Sequence, residues 1–287
     1  MKQQFLYIFI LIISASFCQA QDTLRYIPLN SYKKKFDVPL TKEDSLNFRF
    51  RDNDTLVLVK NYKRSKGVSV PYEPKDSTFL KYYKKVAFRQ KNKFPDSTET
   101  MKYWKDGIKL YFSESVSGKT KREVMKFVKN IDEQVDSLRI DRVRNIEDSN
   151  FVIYYSGDYE YLLEMRNKKN SEYYIYWNRN SQIYRGAIKI NIKEFFNEHL
   201  KTERIKEMFF LSLGHFVQIN DFACESYFAN CYSESKHLTP LDIELLKYHY
   251  SYGICKGTTR EIFEEQHRWA KKALKEKHHK VMFLHSD

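Results

Sequence analysis

Two hydrophobic patterns stand out in the first hundred residues. Leu46, Phe48 and Phe50 alternate with polar residues, Asp52-Asn53-Asp54 signals a turn, and Thr55 to Lys60 follows with strand formers. This pattern predicts a β-hairpin. Behind Asp76, a candidate cap, Phe79, Leu80, Tyr83, Val86 and Ala87 recur at a helical period and predict a helix with one apolar face. From about Met101 the pattern becomes regular. Ile108 to Phe112 alternates as a strand, and Val124, Phe127, Val128, Ile131, Val135 and Leu138 form one helical stripe. Strand-like runs follow at Phe151 to Tyr155, Tyr173 to Trp177 and Ala187 to Ile192. A second helix is predicted from about Thr202 to Leu213, with Gly214 as its stop signal. Thr239-Pro240 opens a third helix, with threonine as cap, proline at the first helical position and Asp242 in the first turn. Thr258 and Glu261 have the spacing of a capping box for a terminal helix.

The N-terminus has a pattern of its own. Lys2 precedes an unbroken apolar run from Phe5 to Ile13, and small residues lead to Ala20. Residues 1–20 therefore read as a signal peptide cut after Ala20. The run is too short to cross a bilayer, so the expected protein is exported, periplasmic or extracellular, and has no membrane-spanning segment. Lipidation at Cys18 is the competing reading, and it is disfavoured by the bulky Phe17 before it. The expected organisation is a signal peptide (1–20), an N-terminal segment with a hairpin and a helix (21–100), a main domain (101–255) and a basic C-terminal helix (256–287).

Composition narrows the function classes. With 42% hydrophobic and 30% charged residues among 287, the chain is neither disordered nor fibrous. Only 8 residues are glycine, and no glycine-rich phosphate-binding motif occurs. Fifty Lys and Arg against 37 Asp and Glu give a net charge of +13, which favours acidic partners. Basic residues alternate with aromatics in Lys81-Tyr82-Tyr83-Lys84-Lys85 and Tyr103-Trp104-Lys105. For an exported chain the partner implied is a protein, a peptide or an anionic glycan or lipid, not nucleic acid. Much of this pattern is also what solvated lysines over half-buried tyrosines produce. Cys224, Cys231 and Cys255 allow one disulfide and one free thiol, and sequence leaves the pairing open.

The order strand, helix, three strands, helix, loop, helix, together with particular residues, resembles the metzincin and matrixin branch of the zincin metalloproteases. Ser226-Tyr227-Phe228-Ala229-Asn230-Cys231-Tyr232 followed by Leu238-Thr239-Pro240-Leu241-Asp242-Ile243 is similar to a Met-turn and the L-T-x-x-D-I helix start that follows it. Leu213-Gly214 resembles the end of the zinc-binding helix. The similarity covers about residues 101 to 255. It implies an α+β fold: a mixed sheet of four parallel strands and an antiparallel edge strand, a backing helix, an active-site helix, a Met-turn-like loop and C-terminal helices.

The resemblance does not extend to the metal ligands. A zincin needs two histidines one helical turn apart and a glutamate beside the first. Counted from Gly214, the first histidine position is Glu207, the glutamate position Met208 and the second histidine position Leu211. The third ligand falls at Val217, and Phe228 replaces the Met-turn methionine. The zinc-binding motif is thus lost, and no catalytic residue or cofactor is expected. The resemblance implies an inactive homologue that binds or scaffolds through the old substrate cleft, like exported bacterial zincin-like domains of unknown function.

Two other readings remain. One is a metallopeptidase with non-standard zinc ligands drawn from Glu207, His215, Asp221 and His237. The other is a basic surface protein that binds acidic glycans or lipids. His215, beside a turn, is expected to be polar surface, and His278, His279 and His285 to belong to a basic tail. Ser212 reads as a packing or helix-face serine.

Overall fold

A computed structural model describes residues 25–36, 38–51, 54–60, 67–91, 94–277 and 281–286. The expected signal peptide, Asp52-Asn53 of the expected turn, and His278 and His279 lie outside the described residues. The chain divides after Lys66 into two compact units, the larger being Gly67–His285.

In the smaller unit, β1 (Arg25–Pro28), β2 (Arg49–Arg51) and β3 (Asp54–Val59) form an antiparallel sheet in the order β1-β3-β2. Two short helices accompany it, α1 (Leu29–Lys35) and α2 (Lys42–Leu46). The hairpin is present, with Phe50 opposite Thr55, but its first strand is shorter than expected. Leu46 belongs to α2, because Thr41 and Asp44 make a reciprocal capping box at 2.8 and 3.1 Å. That box satisfies helix N–H groups before alternation can take hold.

The larger unit begins with β4 (Gly67–Pro71) and α3 (Ser77–Ala87). Asp76 caps α3 by accepting from the Phe79 N–H at 2.9 Å, and all five residues of the expected apolar face are buried. They join the main core, so α3 belongs to the larger unit and shares its interior with the main sheet. Tyr83 has no exposed surface and meets Tyr248 edge-on. Thus the Lys81–Lys85 run is solvated lysine around a core tyrosine.

A hairpin of β5 (Gln90–Lys91) and β6 (Phe94–Thr98) leads to the main sheet. Its strands are β7 (Tyr103–Trp104), β8 (Ile108–Phe112), β9 (Ile140–Arg142), β10 (Phe151–Tyr155), β11 (Glu172–Trp177) and β12 (Gln182–Ile190). The order is β11-β12-β10-β8-β9, with β7 also paired to β12. β12, β10, β8 and β9 run parallel, whereas β11 is an antiparallel edge strand. All five residues of β10 are buried, as a central strand covered on both faces requires. At Gly186, opposite Phe151, a Cβ would lie 2.7 Å from the Phe151 ring; glycine lets that ring sit against the sheet.

One face of the sheet carries α4 (Gly118–Gln134) and α5 (Glu198–Ser212), whose apolar residues join the main core. The other face is closed by the segment after β10 through a smaller cluster that includes Tyr154, Leu162 and Met165. After α5 come α6 (Pro240–Tyr250), α7 (Arg260–Lys277) and β13 (Met282–Ser286), which pairs with β4. α6 starts as expected, with Thr239 and Asp242 in a capping box. The cap of α7 is Thr259, not Thr258: Thr259 Oγ1 accepts from the Ile262 N–H at 3.4 Å, while the Thr258 hydroxyl is buried without a partner among the described residues. Among the described residues no helix is long and apolar enough to cross a membrane.

Candidate functional site

Helix α5 is the floor of the site. Asn197 caps it by accepting from the Leu200 N–H at 2.8 Å. The apolar side chains Ile205, Met208, Phe209, Phe210 and Leu211 are buried, leaving Glu203, Arg204 and Glu207 as its polar strip. The last carbonyls of a helix lack intrahelical partners; here Trp104 Nε1 donates to Ser212 O at 3.3 Å and the Tyr250 hydroxyl to Leu213 O at 2.5 Å. Ser212 itself is fully buried and donates to Phe209 O, a packing serine. Gly214 does not take a left-handed conformation. That role falls to His215, at φ 54°, while a Cβ at Gly214 would lie 2.3 Å from the Phe216 ring.

The loop from α5 to α6 folds back over the helix. Ile219 and Ala229 form a parallel bridge, and Cys224 and Cys231 are disulfide-bonded, with Cys255 free. The turn at Ser226 to Phe228 is held by buried Asp242, which accepts from Ser226 Oγ at 2.5 Å, Tyr227 N at 3.2 Å and Thr239 N at 3.1 Å. Burial raises the Asp242 pKa, and those hydrogen bonds oppose the rise. Phe228 is fully buried among Phe210, Phe216 and Phe222.

Two cavities flank the polar strip. One, of about 490 Å³, lies between α5 and the chain around Asn230 to Lys236. The other, of about 390 Å³, lies between α5 and the edge strand β11. Arg204 and Gln218 line both, so the two cavities adjoin along the polar strip of the helix, and together they are termed the groove.

In the first cavity Glu207 is fully engaged. Its Oε2 meets Arg204 Nη1 at 2.5 Å, its Oε1 accepts from Gln218 Nε2 at 2.7 Å, and Lys236 Nζ stands 3.8 Å away. The Lys236 side chain is 8% exposed, and its ammonium donates to Ser226 O and Ala229 O, both at 2.9 Å. Burial lowers the Lys236 pKa, against the opposing charges of Glu207 and Asp242. Removing Glu207 leaves this buried ammonium without its carboxylate. Glu207→Ala is therefore expected to cost about 2 kcal/mol of stability, and Glu207→Gln less, measured as denaturation midpoints. Equal stability of Glu207→Ala and the parent protein would refute this role.

The second cavity holds Met208 and Leu211 together with Arg89, Tyr173, Trp177 and His215. His215 is not polar surface. Burial, and then the charges of Arg89 and Lys102, hold its pKa down to about 3. Its Nδ1 lies 3.3 Å from the Tyr173 hydroxyl, and Arg89 Nε donates to its carbonyl at 3.2 Å.

The remaining candidate ligands lie apart from these. Asp221 is held by Lys85 at 2.8 Å, and exposed His237 is hydrogen-bonded to Ser235 O through Nδ1. His285 contacts Tyr252 O. Val217 is only partly exposed and donates its N–H to Val86 O. Among the described residues no three His, Cys, Asp or Glu side chains are grouped so that they could hold a metal ion. Gln218, Lys236, Arg89 and Tyr173 were not legible in the sequence, because each is an isolated residue without a motif. Asp242 was legible, through its helix-start pattern. No protein-family model matches this chain, and no curated protein matches it significantly.

Proposed function

We propose that this chain is a zincin-like protein without the metal chemistry of that fold, which binds an extended peptide segment in the groove over α5. The carrying observation is the set of side chains at the ligand positions. Glu207 is consumed by Arg204, Gln218 and Lys236, while Met208, Leu211 and Val217 offer no donor that suits zinc. The sheet order supports the reading, since its single antiparallel strand is the edge beside the groove. An edge strand paired on one side can accept an added strand, and among the described residues β11 pairs only with β12. Export is part of the proposal. It rests on the N-terminal signal-like pattern, and the Cys224–Cys231 disulfide suits an oxidising compartment.

The test is the anisotropy of labelled short β-forming peptides titrated with the protein, with and without a metal chelator. Saturable binding that ignores the chelator is expected, with no cleavage products by mass spectrometry. Trp177, 40% exposed in the groove wall, is expected to contribute about 1 kcal/mol or more when truncated to alanine. Chelator-sensitive cleavage would overturn the proposal in favour of a metallopeptidase.

A further inference from the structure

We infer that the cavity against β11 is a carboxylate pocket that takes an acidic side chain of the bound peptide. The inference rests on the groove reading above and names the chemistry of its ligand.

The pocket presents donors without matching acceptors. Arg89 donates from Nε to His215 O at 3.2 Å and from Nη2 to the Tyr173 hydroxyl at 3.5 Å. Neither partner is charged, and among the described residues Arg89 has no carboxylate partner. Its guanidinium is thus fixed in place with hydrogen-bonding capacity left over. The Tyr173 hydroxyl, which accepts from Arg89, stands 3.3 Å from His215 Nδ1. When that hydroxyl donates to Nδ1, neutral His215 carries its own proton on Nε2, which makes no hydrogen bond among the described residues. The left-handed backbone at His215 holds the ring between Tyr173 and Trp177, with centroid distances of 6.0 and 5.6 Å. Non-glycine residues keep such a conformation where the surroundings enforce it, often at ligand sites.

The rest of the pocket fits the same ligand. Arg204 also lines it, although its Nη1 is already paired with Glu207 at 2.5 Å, so Arg89 is the guanidinium without a carboxylate, and Trp177, Met208 and Leu211 supply apolar walls for the methylene stem of an acidic side chain. Lys102, whose Nζ lies 4.8 Å from the centre of the Trp177 ring, adds to the positive field at His215. Besides Glu207, two carboxylates stand nearby. Glu172 is held by Lys168 at 3.0 Å. Glu99 acts on Tyr173 through its charge, and its Oε2 is buried without a hydrogen-bond partner among the described residues. Glu99 is therefore the internal competitor for this positive field.

The experiment compares a short acetylated and amidated β-forming peptide carrying one central glutamate with its glutamine counterpart. Binding is read by anisotropy on the full protein, and the His215 ring by NMR. Charge-assisted, fixed-geometry hydrogen bonds predict that the glutamate peptide binds about tenfold tighter or more. Arg89→Met should remove that preference, Arg89→Lys should keep part of it, and Glu99→Gln should increase it. The glutamate peptide should shift the His215 Nε2 proton; the glutamine peptide should not. His215→Asn, which tolerates the left-handed backbone, should weaken the preference without unfolding the protein. Equal affinity for both peptides overturns the carboxylate pocket while leaving the groove reading intact. Failure of both peptides to bind, with free succinate still shifting His215 in an Arg89-dependent way, overturns the groove and keeps the pocket. No response to either peptide or to succinate overturns both.

Discussion

Asp242→Ala is expected to cost about 3–5 kcal/mol of stability, a large share of what a folded domain has. The carboxylate has no exposed surface and accepts from three donors: the Ser226 hydroxyl and the N–H groups of Tyr227 and Thr239. Two of these lie in the turn over α5, and the third starts α6, so one side chain joins two elements that sequence separates by a loop. Alanine leaves those donors buried and unpaired, each costing about 1–3 kcal/mol. Asparagine is informative because it keeps the shape but replaces one acceptor oxygen with a donor facing another donor. Asp242→Asn should therefore lose most of the same stability, whereas Ser226→Ala, which removes one donor, should lose about 1 kcal/mol. Urea denaturation of the three variants decides this. A midpoint for Asp242→Asn equal to that of the parent would remove the carboxylate from its central position.

Acid should destabilise the larger unit well before ordinary carboxylates titrate. Burial holds His249 and His215 down to about 3 and His267 down to about 4, against an ordinary value of 6.5. His249 donates from Nε2 to Lys102 O at 2.9 Å and faces the Tyr83 hydroxyl through Nδ1 at 3.1 Å. His267 lies between the Tyr72 and Tyr248 hydroxyls, both at 3.0 Å. These rings are neutral when folded and protonate more readily when unfolded. Their contribution is complete above about pH 6.5 and is lost as pH falls towards 4, because the unfolded chain then binds more protons. Each contributes about 1–2 kcal/mol of lost stability at pH 5 relative to pH 8. The urea midpoint should fall steeply across that range, and His267→Gln should flatten the slope by about one proton's worth. A midpoint unchanged from pH 8 to pH 5 would contradict the account.

Much of the larger unit could be read from local pattern. The face of α3, the first four residues of the expected stripe on α4 (which ends at Gln134, before Val135 and Leu138), the caps at Asp76 and Thr239, and the buried strand β10 all follow from spacing and from residues that act within a few positions. The misreadings arose where two local signals competed. At Thr41 a capping box drew Leu46 into a helix. At the end of α5 the glycine made room for a ring, while the left-handed backbone fell to the next residue. At α7 neighbouring threonines offered two caps, and the second is used.

The groove was legible only in part. On the zincin resemblance, positions 207, 208, 211, 217 and 228 could be counted from Gly214, and the side chains that stand there instead of zinc ligands could be read at once. What fills the site was not. Arg89 reaches His215 across 126 positions, and Gln218 joins Glu207 to the carbonyl of Tyr227. Such pairings depend on register and loop path, which no local pattern encodes.

The most direct test of the central claim is the metal content of the protein, purified without chelators or a histidine tag. The side chains at the ligand positions predict no stoichiometric zinc, and an unchanged urea midpoint when zinc is added. Zinc near one equivalent, retained through dialysis and lost on Glu207→Ala, would contradict the account and restore a metallopeptidase.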